Sequence, residues 1–131
     1  MGAYFYDRQD SGNRDQGRYL SDPADLDFVL ARLGRREPFF AELESDSGNA
    51  LLIGIGSLGC AQFSRTDGSG VPVMAVAPTD PAHADFVEFL TGGTATPVPA
   101  RYCMPIQQVV ELAHHFIFTG TRSPRVQWET L

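Results

Sequence analysis

The stretch MPIQQVVELAHHFIFTGTRSPRVQW, residues 104–128, decides the fold that the rest of the chain has to complete. Its apolar residues recur at spacings of three and four, which predicts an amphipathic helix with one face to bury. Pro105 suits the first helical position, where no N–H is needed, and Gly120 suits a left-handed C-cap. After Pro124, the alternating pattern of residues 126–128 predicts a closing strand. The predicted buried stripe of the helix is Ile106, Val109, Val110, Ala113, Phe116 and Ile117.

Upstream of this helix, the sequence predicts one more helix and a series of strands. Asp22 as N-cap, Pro23 at the first helical position and Asp25 near the exposed amides mark the start of this helix, and Gly34 marks its end. Its predicted buried stripe is Leu26, Val29, Leu30 and Leu33. Period-two alternation between turn residues predicts strands at residues 3–7, 18–20, 38–44, 50–56, 61–63, 71–76 and 85–90.

Together these elements predict a single α+β domain over residues 1–131. The expected architecture is an antiparallel β-meander sheet with an N-terminal and a C-terminal helix packed on one face. The other face of the sheet is expected to be solvated, and residues 92–100 are expected to form a Pro/Gly/Thr loop. The strand that follows Pro38 places Phe39, Ala41 and Leu43 on one face and Phe40, Glu42 and Glu44 on the other.

Composition and charge restrict the kind of partner. A chain of 131 residues with 43% hydrophobic composition is large enough for one core. The net charge of -6 speaks against nucleic-acid binding, which draws its affinity from clustered cations, and favours a basic protein as partner. No apolar run approaches the ~20 residues of a membrane span, and no signal peptide is visible. These features predict a cytoplasmic protein.

Residues 54–59 match the pattern GxGxxG after a predicted strand, which raises the possibility of a nucleotide site. A dinucleotide site needs a helix to begin within the motif, so that its N-terminus meets the pyrophosphate. Here the following residues CAQFSRT alternate like a strand and end at the turn DGSG. Glycines at a hairpin turn or bulge therefore explain the spacing better.

The histidines and cysteines show no ligand spacing. His114 and His115 are adjacent on the predicted helix and point about a hundred degrees apart, so they cannot share a metal ion. His83 lies in a His-Ala-Asp run that lacks the glutamate and the PCxxC motif of a zinc deaminase. Cys60 and Cys103 lack CxxC spacing and are expected to be free buried thiols. No metal or cofactor is predicted.

The predicted sheet face opposite the helices carries candidate partner-binding residues. Glu42 and Glu44 alternate with Phe40, so that an aromatic anchor and two carboxylates share one surface, and Glu88 joins them if its strand has the matching orientation. Trp128 on the closing strand is either a packing residue or an interface anchor. The interpretations left open are an acidic binding surface and a merely solvated acidic face.

Several motifs together resemble immunity family one of bacterial polymorphic-toxin systems. They are the strand ALLIGIG continued by GCAQF, a helix opened by P-x-Q-x-V and closed by FxxTG, and the ending RxPRVQW. The resemblance covers residues 49–63 and 86–129. Its most specific part is carried by Pro105, Val109, Phe116, Thr119, Gly120, Pro124, Val126 and Trp128.

This resemblance implies a non-catalytic protein that binds a cognate toxin domain and occludes its active site. The toxins encoded beside members of this family are commonly deaminases, so the implied target is a nucleic-acid deaminase. We expect a monomer or a small homo-oligomer. Two alternatives remain open: a small-molecule or nucleotide-binding enzyme that uses residues 54–59, and a general interaction module.

Overall fold

The structure, a computed structural model, describes residues 2–33, 37–78 and 85–130. These residues form ten strands, two α-helices and one short 3-10 helix, Ala100–Tyr102. The helices are α1 (Pro23–Arg32) and α2 (Ile106–Thr119). The strands are β1 (Ala3–Asp7), β2 (Arg18–Leu20), β3 (Phe39–Ser45), β4 (Asn49–Ile55), β5 (Leu58–Arg65), β6 (Val73–Ala75), β7 (Phe86–Thr91), β8 (Thr94–Pro99), β9 (Met104–Pro105) and β10 (Trp128–Thr130). None of the described helices is long and apolar enough to cross a membrane.

The predicted α+β class is confirmed, and the sheet contains the predicted meander. Strands β3, β4, β5 and β6 pair antiparallel in sequence order, within the longer order β10-β6-β5-β4-β3-β1-β2. The N-terminal hairpin β1–β2 pairs with the outer edge of β3, and the closing strand β10 pairs with β6. Strand β7 meets β3 through one parallel pair, Phe39 with Leu90, and β8 pairs with β7. The β7–β8 hairpin is thus a branch that leaves the main sheet.

The helix ends follow the capping residues in the sequence. The Asp22 side chain accepts hydrogen bonds from the backbone N–H groups of Ala24 and Asp25, and the Asp25 carboxylate accepts one from the Asp22 N–H. The last residue of α1 is Arg32, and Gly34 lies outside the described residues. Pro105 precedes α2 as its cap residue rather than occupying the first helical position. Gly120 ends α2 with a positive φ of 76°, as predicted.

Both helices contribute to the main core on one face of the sheet. The main core joins Leu26 and Val29 of α1 to the apolar side of the strands, including Phe5 and Leu43. Leu112 belongs to this core although it lies outside the predicted stripe, and Val110 is only half-buried beside α1. The residues that α2 buries are Val109, Leu112, Ala113, Phe116 and Ile117.

The prediction that the opposite face is solvated is wrong for one end of that face. Residues 92–100 are mostly strand β8 rather than a loop, and the β7–β8 hairpin folds over one end of that face. A Cβ on Gly54 would lie 2.6 Å from the Phe89 ring, so only glycine lets the hairpin approach the sheet so closely. A second buried cluster forms there from Phe40, Cys60, Met74, Phe89, Val98, Tyr102 and Cys103.

Two predicted strands have different bounds in the structure. Of the strand predicted for residues 71–76, only Val73–Ala75 form a strand, β6. Pro72 has no N–H to donate, and Val71 is exposed. The closing strand comprises Trp128–Thr130 instead of residues 126–128. Val126 packs partly against the main core without joining the ladder.

A buried ion cluster holds the first loop against the helix side. The carboxylate of Asp15 is almost fully buried and pairs with Arg18 on β2, at 3.1 Å, and with Arg32 on α1. Both guanidinium groups also lie over the ring of Phe28. Burial raises the pKa of Asp15, but the hydrogen bonds and charges of the two arginines outweigh burial and lower it below its ordinary value.

Candidate functional site

The five residues predicted as a partner-binding surface lie in four different places. Glu42 and Glu44 are on the outer face of the sheet, which we define as the face opposite the two helices. Phe40 is on that face but is buried, Glu88 lies on the β7–β8 hairpin, and Trp128 packs on the helix side. Of the predicted set, only the two glutamates share accessible sheet surface.

Phe40 is not the exposed anchor that strand alternation suggested. Only 7% of its surface is accessible, and its ring lies 5.2 Å from that of Phe89, centroid to centroid. The reason is the hairpin: Phe89 occupies the space that Gly54, the cross-strand partner of Phe40, leaves above the sheet. Phe40 therefore stabilises the covered end of the outer face and is not an exposed anchor, although it also lines the cleft described below.

Glu42 and Glu44 are half-buried and share one cation that sequence reasoning missed. Arg8 follows β1, and its guanidinium group forms ion pairs with both carboxylates, the one to Glu44 at 3.3 Å. The same group lies 4.9 Å from the centre of the Tyr6 ring, which fixes its position further. The three charges sum to one negative charge, so the acidic surface is weaker than the two glutamates alone would make it.

Glu88 and Trp128 do not join the two glutamates. Glu88 is exposed on β7, on the side of the strand opposite Phe89, which points into the second cluster. The indole of Trp128 donates a hydrogen bond to the Ser123 carbonyl at 2.8 Å and meets the Phe63 ring edge-on at 6.3 Å. Its contacts are those of a packing residue at the rim of the main core.

The strand registers assemble a continuous row of side chains across the outer face. Each member is the direct cross-strand partner of the next, over β1, β3, β4, β5, β6 and β10. With strands about 4.8 Å apart, the row spans roughly 24 Å. Its members, in order, are Tyr6, Glu42, Leu52, Gln62, Met74 and Glu129. The carboxylates Glu42 and Glu129 thus flank a central part that is mainly apolar.

Glu129, the carboxylate at the far end of the row, is held by side-chain partners, as Glu42 is. The Tyr102 hydroxyl donates a hydrogen bond to it at 2.7 Å, and Arg101 forms an ion pair with it at 2.9 Å. The hydrogen bond to Glu129, with burial, raises the pKa of Tyr102 above its ordinary value. No pattern in the sequence pointed to Glu129, because its place depends on how β10 pairs with β6.

A narrow apolar cleft lies between the row and the hairpin. Its volume is about 290 Å³. The floor consists of Phe40, Leu52, Gln62 and Met74 of the sheet, and the opposite wall consists of β7–β8 residues that include Thr96. Leu52 and Gln62 are only half-buried, so the cleft is open to an approaching partner.

The open part of the outer face also carries exposed tyrosines. Tyr4 and Tyr19 are cross-strand partners at the edge β1–β2 and remain 40% and 42% exposed. Their rings meet edge to face at 4.9 Å, which makes them a rigid pair. Tyrosines and an apolar cleft are features that protein interfaces favour, and the carboxylates add negative charge to the same surface.

The GxGxxG residues serve packing between strands. Residues 54–59 connect β4 to β5, and no helix begins within them. A Cβ on Gly59 would lie 2.5 Å from the Gly54 carbonyl oxygen and 3.0 Å from Val109 of α2. The motif thus brings α2 against the sheet, and the helix N-terminus that would bind a pyrophosphate is missing from it.

The cysteines are buried, and His114 is held in a structural contact. Burial raises the pKa of the Cys60 thiol far above its usual range, and burial raises that of Cys103 to about 11. His114 pairs with Asp27 of α1 at 2.7 Å, whereas the neighbouring His115 lines a separate cleft of about 510 Å³ beside Glu111. His83 lies outside the described residues. Within residues 2–33, 37–78 and 85–130, no group of three potential ligands is arranged to hold a metal ion.

The fold is that of an α+β protein with two helices on one face of the sheet and a partly covered surface on the other. The family described as Immunity protein Imm1 matches residues 14–130, nearly the whole chain. The chain therefore belongs to the Imm1 family of immunity proteins, which confirms the resemblance seen in the sequence. Membership of this family indicates a toxin-neutralising immunity role with a cognate toxin as partner. A comparison with curated proteins found no match.

Proposed function

We propose that this protein neutralises one cognate toxin domain by binding it and occluding its active site, and that the toxin is a deaminase acting on nucleic acid. The observation that carries the proposal is the family match over residues 14–130. The deaminase target follows from the resemblance, because toxins encoded beside such proteins are commonly of that type. The protein would act without catalysis, in the cytoplasm of the cell that produces the toxin.

The state of the reactive side chains supports a binding role. Both thiols are buried and protonated at neutral pH, so they are poor nucleophiles. Glu42 and Glu44 are engaged by Arg8, and His114 is engaged by Asp27. A protein that works by occlusion needs a stable surface rather than a free base or nucleophile, and this arrangement provides one.

We propose the open part of the outer face as the surface that meets the toxin. A deaminase that acts on nucleic acid needs a basic approach to its active site, and a protein of net charge -6 is attracted to such a region. The tyrosine pair and the half-buried Leu52 add apolar contact area beside Glu42 and Glu44. Glu88 and Trp128 would contribute at most at the margins, because they point elsewhere.

The test uses the toxin domain encoded beside this gene. Cells that express the toxin should survive when this protein is co-expressed, and the two purified proteins should form a stable complex. Deaminase activity on single- and double-stranded DNA and RNA should fall to zero as the protein is titrated in, with the endpoint at equimolar amounts. Survival without any complex, or a toxin with no deaminase activity, would contradict the corresponding part of the proposal.

A further inference from the structure

We propose that the cleft between the outer face and the β7–β8 hairpin is the anchor pocket for the toxin. Its occupant is a single apolar side chain from a toxin loop in which basic residues flank that side chain. This inference rests on the proposed function and adds to it the position and chemistry of the central contact.

The lining of the cleft favours an apolar side chain over a nucleotide. The cleft has a volume of about 290 Å³. Its described lining residues carry no charge. A nucleotide would therefore find no cation for its phosphate groups, whereas an aliphatic or aromatic side chain would lose water from its whole surface.

One polar group in the cleft is placed to fix the orientation of the occupant. The Gln62 amide is half-buried on the floor and makes no hydrogen bond with the described residues. It has two N–H donors and one acceptor, so it can pair with the backbone of an incoming loop. Interface anchors combine an apolar side chain in a pocket with a few polar contacts at the rim, and this cleft offers both.

The carboxylates beside the cleft determine the neighbours of the anchor. Glu42 is the cross-strand partner of Leu52, and Glu129 is the cross-strand partner of Met74, so a carboxylate stands on either side of the floor. Cationic side chains that flank the anchor would meet these carboxylates. Arg8 and Arg101 already occupy part of their hydrogen-bonding capacity, so the flanking contacts supply register and the apolar anchor supplies most of the affinity.

The hairpin does not offer its edge for the addition of a strand. Among the described strands β8 pairs only with β7, and two of its six residues are Pro97 and Pro99. Proline has no N–H, so these positions cannot donate to an incoming strand, which is a common way of protecting an edge. Recognition at this end of the molecule therefore depends on side chains that enter the cleft.

The test compares three tryptophan substitutions on the same surface. Leu52→Trp fills the cleft from the floor, and Thr96→Trp fills it from the hairpin wall. Ser64→Trp is the matched control, because Ser64 lies on the same face of β5, two residues beyond Gln62 and outside the cleft. Affinity is measured by calorimetry with the catalytically inactivated toxin domain encoded beside this gene, and a thermal melt verifies that each variant is folded.

Both cleft variants should weaken binding at least 100-fold, whereas Ser64→Trp, which lies on the same contact surface but outside the cleft, should weaken it less than tenfold. Wild-type affinity in the two cleft variants would overturn the proposal, and so would an equal loss in all three. These results leave the proposed function standing, provided that the wild-type protein still binds and neutralises the toxin. A wild-type protein that does neither refutes the proposed function, and the anchor pocket with it.

A photo-crosslink identifies the occupant independently. Benzoylphenylalanine in place of Ser64 serves as the control, and the same amino acid in place of Thr96 stands at the mouth of the cleft. The Thr96 probe should crosslink to an apolar toxin residue that has arginine or lysine within two positions. A crosslink from Thr96 to an acidic or purely polar toxin segment would overturn the assignment of the occupant.

Discussion

The two faces of the sheet are formed by the same strands but are covered by different elements and to different extents. On the helix side, α1 and α2 cover the main core, and residues such as Val109, Ala113 and Phe116 are completely buried. On the outer side, the β7–β8 hairpin covers only the end near Phe40 and Gly54 and leaves a cleft and two exposed tyrosines. The comparison teaches that the helix side contains most of the core, whereas the outer side retains accessible surface, to which the proposed function assigns recognition.

The largest effect is expected on the closed face. Phe116→Ala should lower the free energy of unfolding by about 4 kcal/mol, because it leaves a cavity in the main core between α2 and the sheet. The matched control is Phe118→Ala on the same helix, where the ring is 72% exposed and the change should stay within about 0.5 kcal/mol. Denaturant unfolding of both variants tests the pair, and similar midpoints would mean that α2 is oriented differently.

The next effect concerns the ion cluster that holds the first loop to α1. Asp15→Asn should lower the free energy of unfolding by about 2 kcal/mol. This is less than the loss of a fully buried ion pair would cost, because Arg18 and Arg32 still reach water. The pKa of Asp15 is lowered on folding, so its contribution is present above the ordinary value of 3.8 and is lost as the pH falls through the lower folded pKa.

Wild type and Asp15→Asn should therefore converge in stability as the pH is lowered below about 4. Chemical denaturation at pH 7 and at a series of acidic pH values measures the difference between them. A constant difference down to pH 2 would show that the variant acts by misplacing the loop rather than by removing a charge.

A smaller effect on global stability is expected at the covered end of the outer face. Phe89→Ala removes the ring that packs on Phe40 and Gly54, and the hairpin should open locally at a cost of no more than about 2 kcal/mol. The thiols report this opening, because Cys60 and Cys103 lie in the same buried cluster. Labelling with a thiol reagent should be at least tenfold faster than in wild type.

Phe116→Ala provides the contrast for the labelling experiment. When the two variants are compared under conditions that leave the same fraction of molecules folded, the thiols of Phe116→Ala should remain slow to react. The reason is that the buried cluster under the hairpin is intact in this variant. Equal labelling rates in both variants would indicate that the two faces unfold together and that the hairpin is not an independent branch.

The smallest effect on folding is expected from the carboxylates of the open surface. The double substitution Glu42→Arg and Glu44→Arg should lower the free energy of unfolding by about 1 kcal/mol, since Arg8 loses both partners but stays in contact with water. Binding of a basic toxin should weaken at least tenfold, mainly through a slower association rate that depends less on salt. Unchanged association kinetics would mean that these carboxylates lie outside the contact.

Much of the closed face could be predicted from the sequence, because its signals are local. Three of these signals each determine the structure of residues close to them in the sequence. They are the capping residues of α1, the glycine that ends α2 and the alternation along β3 to β5. The outer face depends on pairings between distant segments. Arg8 meets Glu42, and Glu129 meets Tyr102, only after the sheet has formed.

The second strand of the hairpin, β8, was missed for a related physical reason. β8, with sequence TATPVP, looks like a loop because prolines are unfavourable inside a sheet, but they are acceptable on an edge strand. Gly54, which was weighed as part of a phosphate loop, is in fact the space into which Phe89 packs. The burial of Phe40 follows from that packing, and alternation along a single strand cannot indicate it.

The central claim is that the toxin meets the outer face rather than the helix face, and hydroxyl-radical footprinting of the complex tests it most directly. Both faces carry exposed aromatic reporters: Tyr4 and Tyr19 on the outer face, and Phe28 and Phe118 on the helices. In the complex with the inactivated toxin domain, oxidation of Tyr4 and Tyr19 should fall severalfold while that of Phe28 and Phe118 stays as in the free protein. Protection of Phe28 and Phe118 with unchanged oxidation of the tyrosines would contradict the claim.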